Sequence, residues 1–514
     1  MEKQKKSEVK LSSAQLNHFT SKYKSGDFRE FVSTLDDEKL TFLTLGYQDT
    51  VKDKPRSKTL KNIQEILIGE KIKRMRRPET PTSFYKIDDV VAAVESYLPN
   101  TGTALKLALA VATSGTRINR VMLWMLLVGS PSSGKTDLVK LFKNSKSVYS
   151  LDNLTLNAFI SGERQTEKQK VYDLLPQLAN KCLVIKDWTV IFSLDEKMSK
   201  KIVGDMVGIY DKSLSKFSSR RGQITYDAEF SHLGCITPAT LNKHQTYLNM
   251  IGPRFLHYTI PSLSKDDEEA SFKAIFGNTD RQTLEKEVRS IVSAYLDQLN
   301  EKDISEIKPV SDEVREYLTL ASRFTAKARG IVIIQASSFK NEDGDNITYY
   351  EPLDIQIEQP WRAVQQLLTL STYLTLVSNK LEVGIEAMEV IKEVVVSSMP
   401  ADRAQAVRAL KDAPDGEITA KYLSEQVDKS QKTTRRLLDE LSFLGIVEKI
   451  KGTGQIATSY RLIPEFKDFI TLDPAEFMST NYGGTKTPDG IPHEQDNLPE
   501  SPKTLEEVLG ELRF

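Results

Sequence analysis

The sequence predicts an α/β protein, with a parallel sheet and crossover helices at its centre, a helical region before them, and helices with a small hairpin-bearing domain after them. Three observations carry the prediction. Between residues 102 and 265, short apolar runs alternate with helical periodicity, as repeated strand-helix-strand units do. Inside that stretch, LWMLLVGSPSSGKTDLVKLF sets Gly129, Gly134, Lys135 and Thr136 at the spacing G-x-x-x-x-G-K-[ST], between an apolar strand at 123–128 and an amphipathic helix at 136–142. Beyond it, residues 266–395 are helical in pattern, and residues 398–465 read as three helices and a hairpin.

The predicted division is therefore 1–100, 102–265, 266–395, 398–465 and 466–514. Residues 1–100 are lysine-rich and mainly helical, with a basic run (Lys71, Lys73, Arg74, Arg76, Arg77) before a break at Pro78 and Pro81. Residues 466–514 read as an acidic, largely disordered tail ending in a short helix, TLEEVLGELRF, with Leu505, Val508, Leu509 and Leu512 on one face.

Composition bounds the function. The 514 residues are 39% hydrophobic, 27% charged and 8% aromatic, ordinary values for a globular chain. Seventy Lys and Arg face 71 Asp and Glu, a net of −1, which excludes a uniformly basic coat for nucleic acid and leaves local patches open. The longest apolar run, Val121 to Val128, is far below the roughly 20 residues of a membrane span, so no membrane association is predicted. The lysines of MEKQKKSEVKLSSAQLNHF lack the apolar core of a secretory signal. Cys182 and Cys235 lie in strand-like apolar runs and read as reduced core thiols, so the expected location is cytoplasmic.

The loop from Gly129 through Ser130, Pro131, Ser132, Ser133 and Gly134 to Lys135 and Thr136 has the parts that phosphate binding needs. Glycines let backbone N–H groups curl around phosphate oxygens, and the following helix adds a favourable dipole. Lys135 neutralises the β and γ phosphates, and Thr136 ligates Mg²⁺. ATP and Mg²⁺ are the predicted cofactors. A second metal ligand belongs at a neighbouring strand tip, and KCLVIKDWTVIF supplies Asp187 at the end of the apolar run Cys182 to Ile185.

Two further strands follow. HLGCITPATLNKH ends its apolar run at Thr237, with Asn242 shortly after, and MIGPRFLHYTIP sets Arg254 between a Gly-Pro turn and an apolar run. Phosphate loop, acidic strand end, polar strand end and then an arginine before a strand is the order of parts in AAA+ ATPases, which residues 120–265 resemble. The resemblance implies that Thr237 or Asn242 senses the γ-phosphate or the water, and that Arg254 is a finger projecting into the neighbouring subunit's site of a ring, a hexamer. It implies a helical lid over 266–395, in which Arg362, after Pro360, serves as a second sensor, with Arg323, Lys327 and Arg329 as rivals. One departure stands out. Where many hydrolysing relatives carry a water-orienting glutamate after the aspartate, this chain has Trp188 and Thr189, with Glu163, Asp195 and Glu196 as the sequence-near substitutes.

Two segments point to DNA. In IYDKSLSKFSSRRGQITYDAEFSHLG, Lys212, Lys216, Arg220 and Arg221 occur with no acid among residues 212–221, and Arg-Gly-Gln reads as a hairpin tip. This insertion resembles the pre-sensor hairpin of minichromosome-maintenance-type helicases and related phage and mobile-element ATPases, which implies basic residues facing a DNA backbone in a central channel. Residues 398–465 resemble a winged helix: a short helix at 420–426, a recognition helix at 431–444, and a hairpin through Gly452 and Gly454. Residues 429–461 hold seven Lys or Arg against three acids, and Gln431, Lys432, Thr433, Arg435, Arg436, Lys449 and Lys451 are the candidate DNA contacts.

The function implied is a ring-forming, DNA-dependent ATPase, a replicative helicase or replication initiator of a phage or mobile element. The alternatives are a nucleotide-gated DNA-binding switch (a loader, or a regulator of transposition or transcription) and a protein remodeller whose winged helix docks protein. The tail, with ten acids against four bases, is a candidate to compete for the basic channel or to dock a protein partner.

Overall fold

The structure, a computed structural model, describes residues 13–35, 85–163, 172–250, 252–276, 281–340, 346–413, 416–452 and 457–482, with isolated residues between 39 and 67. The basic run Lys71 to Arg77 with Pro78 and Pro81, Gly454, and the tail from residue 483 with its terminal helix lie outside the described residues. The chain divides into two compact units. One comprises Met1–Gly102, Lys140–Lys146 and Leu263–Lys302, and the other Thr103–Val139, Ser147–Ser262 and Asp303–Phe514.

In the first unit, helices Ser13–Ser25 and Phe28–Thr34 contribute to an apolar cluster that includes Phe28, Val32, Leu43, Tyr47 and Ile63. Helix Ile87–Glu95 packs on helix Arg281–Glu301. Gln298 brackets Tyr85 there, accepting from its N–H at 3.1 Å and donating to its carbonyl at 3.2 Å. Described residues of 1–100 are helical, as predicted. Residues 266–302, read from sequence as the start of a lid, fall within this unit.

The second unit is built on five strands: β1 (Trp124–Val128), β2 (Val148–Leu151), β3 (Cys182–Ile185), β6 (Ser231–Ile236) and β7 (Phe255–Thr259). They are parallel throughout, in the order β2-β3-β6-β1-β7. This is an α/β sheet compatible with a P-loop core. Burial on both faces explains why β1, β3 and β6 read as unbroken apolar runs rather than alternating ones. Trp124, Trp188, Phe230 and Phe255 fill one side. β7 is an edge, and two of its outward N–H groups are satisfied by side chains: His257 N–H donates to Ser398 Oγ at 3.0 Å and Thr259 N–H to Ser397 Oγ at 3.1 Å. An antiparallel pair, β4 (Ser213–Ser218) and β5 (Gly222–Asp227), stands apart from the sheet between β3 and β6 in sequence.

Helices α6 (Asp312–Ala328), α7 (Trp361–Val377) and α8 (Ile385–Ser397) pack together, with α8 against β7. The expectation of helix throughout 266–395 is corrected here. Residues Ile331–Lys340 (β8) and Asn346–Gln356 (β9) form a long antiparallel ribbon, favoured by the β-branched and aromatic content of IVIIQASSF and NITYY. The C-terminal part contains α9 (Ala401–Lys411), β10 (Glu417–Thr419), α10 (Ala420–Val427), α11 (Gln431–Phe443), β11 (Val447–Ile450) and β12 (Ser459–Leu462), the strands in the order β10-β12-β11. Residues 466–482, read from sequence as the start of a disordered tail, are folded: helices Pro464–Thr471 and Pro474–Tyr482 bury Phe469 and Phe477, both in ring contact with Tyr317. Among the described residues, no helix is long and apolar enough to cross a membrane.

His232 and His257, buried on adjacent parts of the sheet, give the unit a pH signature. Burial disfavours their charged forms and pushes both pKa values down to about 3. In the unfolded chain a histidine takes up a proton near pH 6.5. The contribution of each to stability is therefore complete above about pH 6.5 and is lost as pH falls from there toward 3. The unfolding free energy from chemical denaturation is expected to fall through that window by up to about 1.4 kcal/mol per pH unit for each histidine, with the midpoint falling in step. A midpoint constant from about pH 6.5 to 4.5 would contradict buried, neutral imidazoles.

Candidate nucleotide-binding site

The phosphate loop leaves β1 at the carboxyl end of the sheet, where ligands of open α/β sheets bind. Gly129 N–H donates to Ile236 O at 3.2 Å, fixing the start of the loop to the end of β6, and Ser133 N–H donates back to Ser130 O at 3.2 Å. Ser132 (φ 64°) and Gly134 (φ 77°) both adopt the left-handed region. For Ser132 this costs on the order of 1–2 kcal/mol, a strain that turns successive N–H groups toward one concavity. Lys135 is only 6% exposed, and its ammonium donates to Ser130 O at 2.9 Å, drawn back over the loop. Ser133 Oγ is buried with no partner, an orphan hydroxyl in the wall of the loop.

Three strand tips meet here because β6 lies between β1 and β3, with Val128 opposite Ile236 and Ile185 opposite Gly234. Asp187 caps helix Trp188–Phe192, its Oδ1 accepting from Thr189 N–H at 2.8 Å. Cys235, on β6 and buried, senses both charges. Burial pushes its thiol pKa up, the Lys135 ammonium pulls it down, and the Asp187 carboxylate pushes it up again. Thr237 stands at the β6 tip and shares a 2.9 Å hydrogen bond with the Thr240 hydroxyl. Thr136 and Asp187 offer a hydroxyl and a carboxylate, oxygen donors suited to a hard cation such as Mg²⁺ that keeps several waters and takes substrate phosphates. The strained loop, the orphan Ser133 hydroxyl and the folded-back Lys135 fit a nucleotide phosphate chain.

Neither a protein-family model nor a curated protein matches this chain. The assignment of roles rests on geometry.

Asn242 is not at the strand tip. It is exposed on helix α5 (Pro238–Met250) and lines a cavity of about 420 Å³ with Gln245, Val332, Arg403 and Arg436. Trp188, in the place of the missing glutamate, is fully buried. Its indole N–H donates to His232 Nε2 at 2.9 Å, which leaves the imidazole proton on Nδ1 to meet Leu183 O at 2.9 Å. Gly234 permits this, since a Cβ there would fall 2.5 Å from the indole. Of the substitutes, Asp195 caps helix Glu196–Tyr210 and Glu196 pairs with Lys200. Glu163 lies on an exposed loop beside Ser161.

Arg254 and Arg362 are brought together, but away from the loop. Arg254 is 8% exposed, with its guanidinium over the Tyr210 ring at 5.7 Å and 3.7 Å from Asp211; Arg362, half-buried, lies over the same ring at 6.0 Å. Burial first, and the Arg362 charge next, lower the Arg254 pKa. Arg329, among the rivals, is buried in the same cluster and paired with Glu358 at 3.7 Å. Arg323 and Lys327 instead face Glu465. Arg254 precedes Phe255, which is opposite Trp124 at the amino end of β1. The phosphate loop begins five residues later, about 16 Å along the strand.

The basic hairpin forms as predicted, with Arg220 and Arg221 at its tip, but most of its charge is spent internally. Lys212 pairs with Glu229 at 2.6 Å, Lys216 with Asp205 at 2.5 Å, and Arg221 with Asp173 at 2.9 Å. Arg220 is exposed. Burial alone would raise the Asp173 pKa, yet hydrogen bonds from Ser161 N–H, Tyr226 and Arg221 hold it below the usual carboxylate value. The sequence reading missed Phe217, 81% exposed on β4. In the C-terminal part, Lys432 and Lys451 are exposed and Arg435 is half-buried, whereas Arg436 pairs with Glu440 and Lys449 with the buried Asp439.

Lys135→Ala is expected to weaken ATP binding by an order of magnitude or more, read by titration with a fluorescent ATP analogue; unchanged affinity would remove the loop as the site. Asp173→Asn leaves Arg221 without its counter-charge and is expected to cost about 1–3 kcal/mol of stability in thermal unfolding.

Proposed function

We propose that the chain is a ring-forming, DNA-dependent ATPase of the AAA+ type, with a phosphate-loop core, a helical lid over α6 to α8 and a C-terminal winged helix over α9 to β12. The observation that carries this reading is the position of Arg254 and Arg362. Two like charges are held together over Tyr210, with both guanidinium groups within 3.3 Å of a Cβ built on Gly252. They lie at the end of the sheet opposite their own phosphate loop, a separation longer than an arginine side chain. An arginine so placed can stabilise phosphoryl-transfer charge only at the site of another copy, which makes turnover depend on assembly. The ring supplies that copy, and the hexameric state belongs to the proposal.

In this reading Thr136 and Asp187 hold Mg²⁺, which when bound neutralises charge on the β and γ phosphates. Lys135 binds the same phosphates, and Thr237, at the β6 tip between β1 and β3, is placed to read the terminal one. Arg220, Lys432, Arg435 and Lys451 are the exposed or half-exposed cations available for DNA. A replicative helicase or initiator of a mobile element uses each of these parts.

The buried Trp188 favours a second reading, a nucleotide-gated DNA-binding switch, because the strand that carries Asp187 offers no second carboxylate beside it to orient water. Strand displacement from a forked duplex separates the two readings: a helicase displaces, a switch binds without displacing.

Subunit mixing tests the central claim. Lys135→Ala subunits lack a site but donate arginines, and Arg254→Ala/Arg362→Ala subunits bind nucleotide but donate none. Each alone is expected to be at least 10²-fold slower than the native protein, on the scale of a lost arginine finger. Their mixture is expected to regain ATPase activity. A mixture no faster than its parts would place the arginines outside the chemistry.

A further inference from the structure

Among the described aromatic side chains of the sheet unit, Phe217 is the most exposed, at 81%, and none of the roles above uses it. The alternation of β4 and β5 explains where it points. Leu214 and Tyr226 face inward and pack on the core, whereas Ser213, Ser215, Phe217, Gln223, Thr225 and Asp227 face solvent. Phe217 is directly across from Gln223, and the Ser215 and Thr225 hydroxyls share a 2.8 Å hydrogen bond beside it. Leaving such a ring in water forgoes about 1.5–3 kcal/mol.

The surroundings decide what would cover it. A protein interface buries roughly 800 Å² on each side around several apolar anchors, and here one ring stands among hydroxyls and an amide. A nucleobase has the size and planarity of the ring itself, and its polar edge would meet Gln223 and the hydroxyl pair. Arg220, exposed at the tip three residues on, makes no ion pair among the described residues of the kind that occupies Lys212, Lys216 and Arg221, so it is available to a phosphate. The hairpin is held firmly enough to present the ring. Asp173 ties it to the loop at Ser161 through Arg221 and Tyr226, and Ser218 Oγ donates to Gly162 O at 2.7 Å. Tyr172, beside Asp173, is a second exposed ring, at 73%.

We propose that Phe217, aided by Arg220, is a base-stacking contact for single-stranded nucleic acid on the outer face of the β4–β5 hairpin. This rests on the nucleic-acid reading above and changes its mode: the hairpin grips bases more than backbone. Stacking tolerates any base, and with one free cation per hairpin its contribution to the salt dependence is about 0.7 per copy, against about 3 for four phosphate-bound cations.

The test is fluorescence anisotropy of the full-length protein with a labelled oligothymidylate and with an abasic oligomer of equal length and charge. The native protein is expected to favour oligothymidylate on the order of 10- to 100-fold. Phe217→Ala should lose that preference with its abasic affinity unchanged, and Phe217→Trp should keep it, both variants binding the ATP analogue normally. A native protein that binds both oligomers equally leaves the nucleic-acid reading standing and overturns stacking. One that binds neither overturns both. A Phe217→Ala protein that keeps the preference, or that changes assembly size instead, removes the ring from the strand contact.

Discussion

A parallel sheet has two chemically distinct ends, and the rest of this molecule is arranged by that polarity. Loops that leave the carboxyl ends of β1, β3 and β6 converge because the three strands are hydrogen-bonded neighbours in register. The converging loops bring Lys135, Asp187 and Thr237 from positions up to 102 residues apart to one edge. The amino ends hold a different set: Arg254, Tyr210 and the carbonyls around β1, where Tyr210 OH donates to Met122 O and Gln366 Nε2 donates to both Tyr210 and Arg254 O. A strand of five residues separates the sets rigidly, since the sheet between them is packed on both faces. Side-chain motion cannot unite them within one chain; on the proposed reading a second copy would.

Legibility in the sequence followed the range of the interactions involved. The phosphate loop, the strand end at Asp187 and the turn at Gly222 are local: each is specified by residues within about ten positions, so motif spacing found them. The same holds for α11, whose Ser430 cap accepts from Thr433 N–H. What escaped was long-range. Lys216 and Arg221 looked like free cations because Asp205 and Asp173 are 11 and 48 residues away. The ribbon β8–β9 interrupts a region whose flanking helices dominate the periodicity, and its pairing joins residues up to 25 positions apart, from Ile331 opposite Gln356. The helices after residue 463 carry few apolar residues, and it is the burial of Phe466, Phe469 and Phe477 on α6 that makes them part of the fold.

The position after Asp187 shows how packing can take over a place where chemistry would be expected. A carboxylate there would have to point to solvent at the strand tip. Trp188 points the other way, into the core, and its one polar atom is matched by a histidine whose other nitrogen is matched by a backbone carbonyl. That chain of hydrogen bonds tolerates no charge, and the depressed His232 pKa is the measure of how dry it is. Replacing the indole by a carboxylate would bury a charge against a neutral imidazole, so the sequence at this point is committed to structure. Water positioning, where it occurs, must come from another element.

On the hairpin, internal pairing leaves Arg220 as the exposed cation without an ion pair among the described residues. Of four basic residues on the hairpin, three are matched by carboxylates less exposed than about one third. Arg254 pairs with Asp211, an acid largely exposed to water, at 3.7 Å, and Glu358 pairs with Arg329 at 3.7 Å. Burial raises the Glu358 pKa even though Arg329, Arg362 and Arg254 all act to lower it. On the proposed reading, an incoming phosphate would relieve the repulsion between Arg254 and Arg362. Association of copies and binding of nucleotide would, on that same reading, be thermodynamically linked, each stabilising the other by the same free energy.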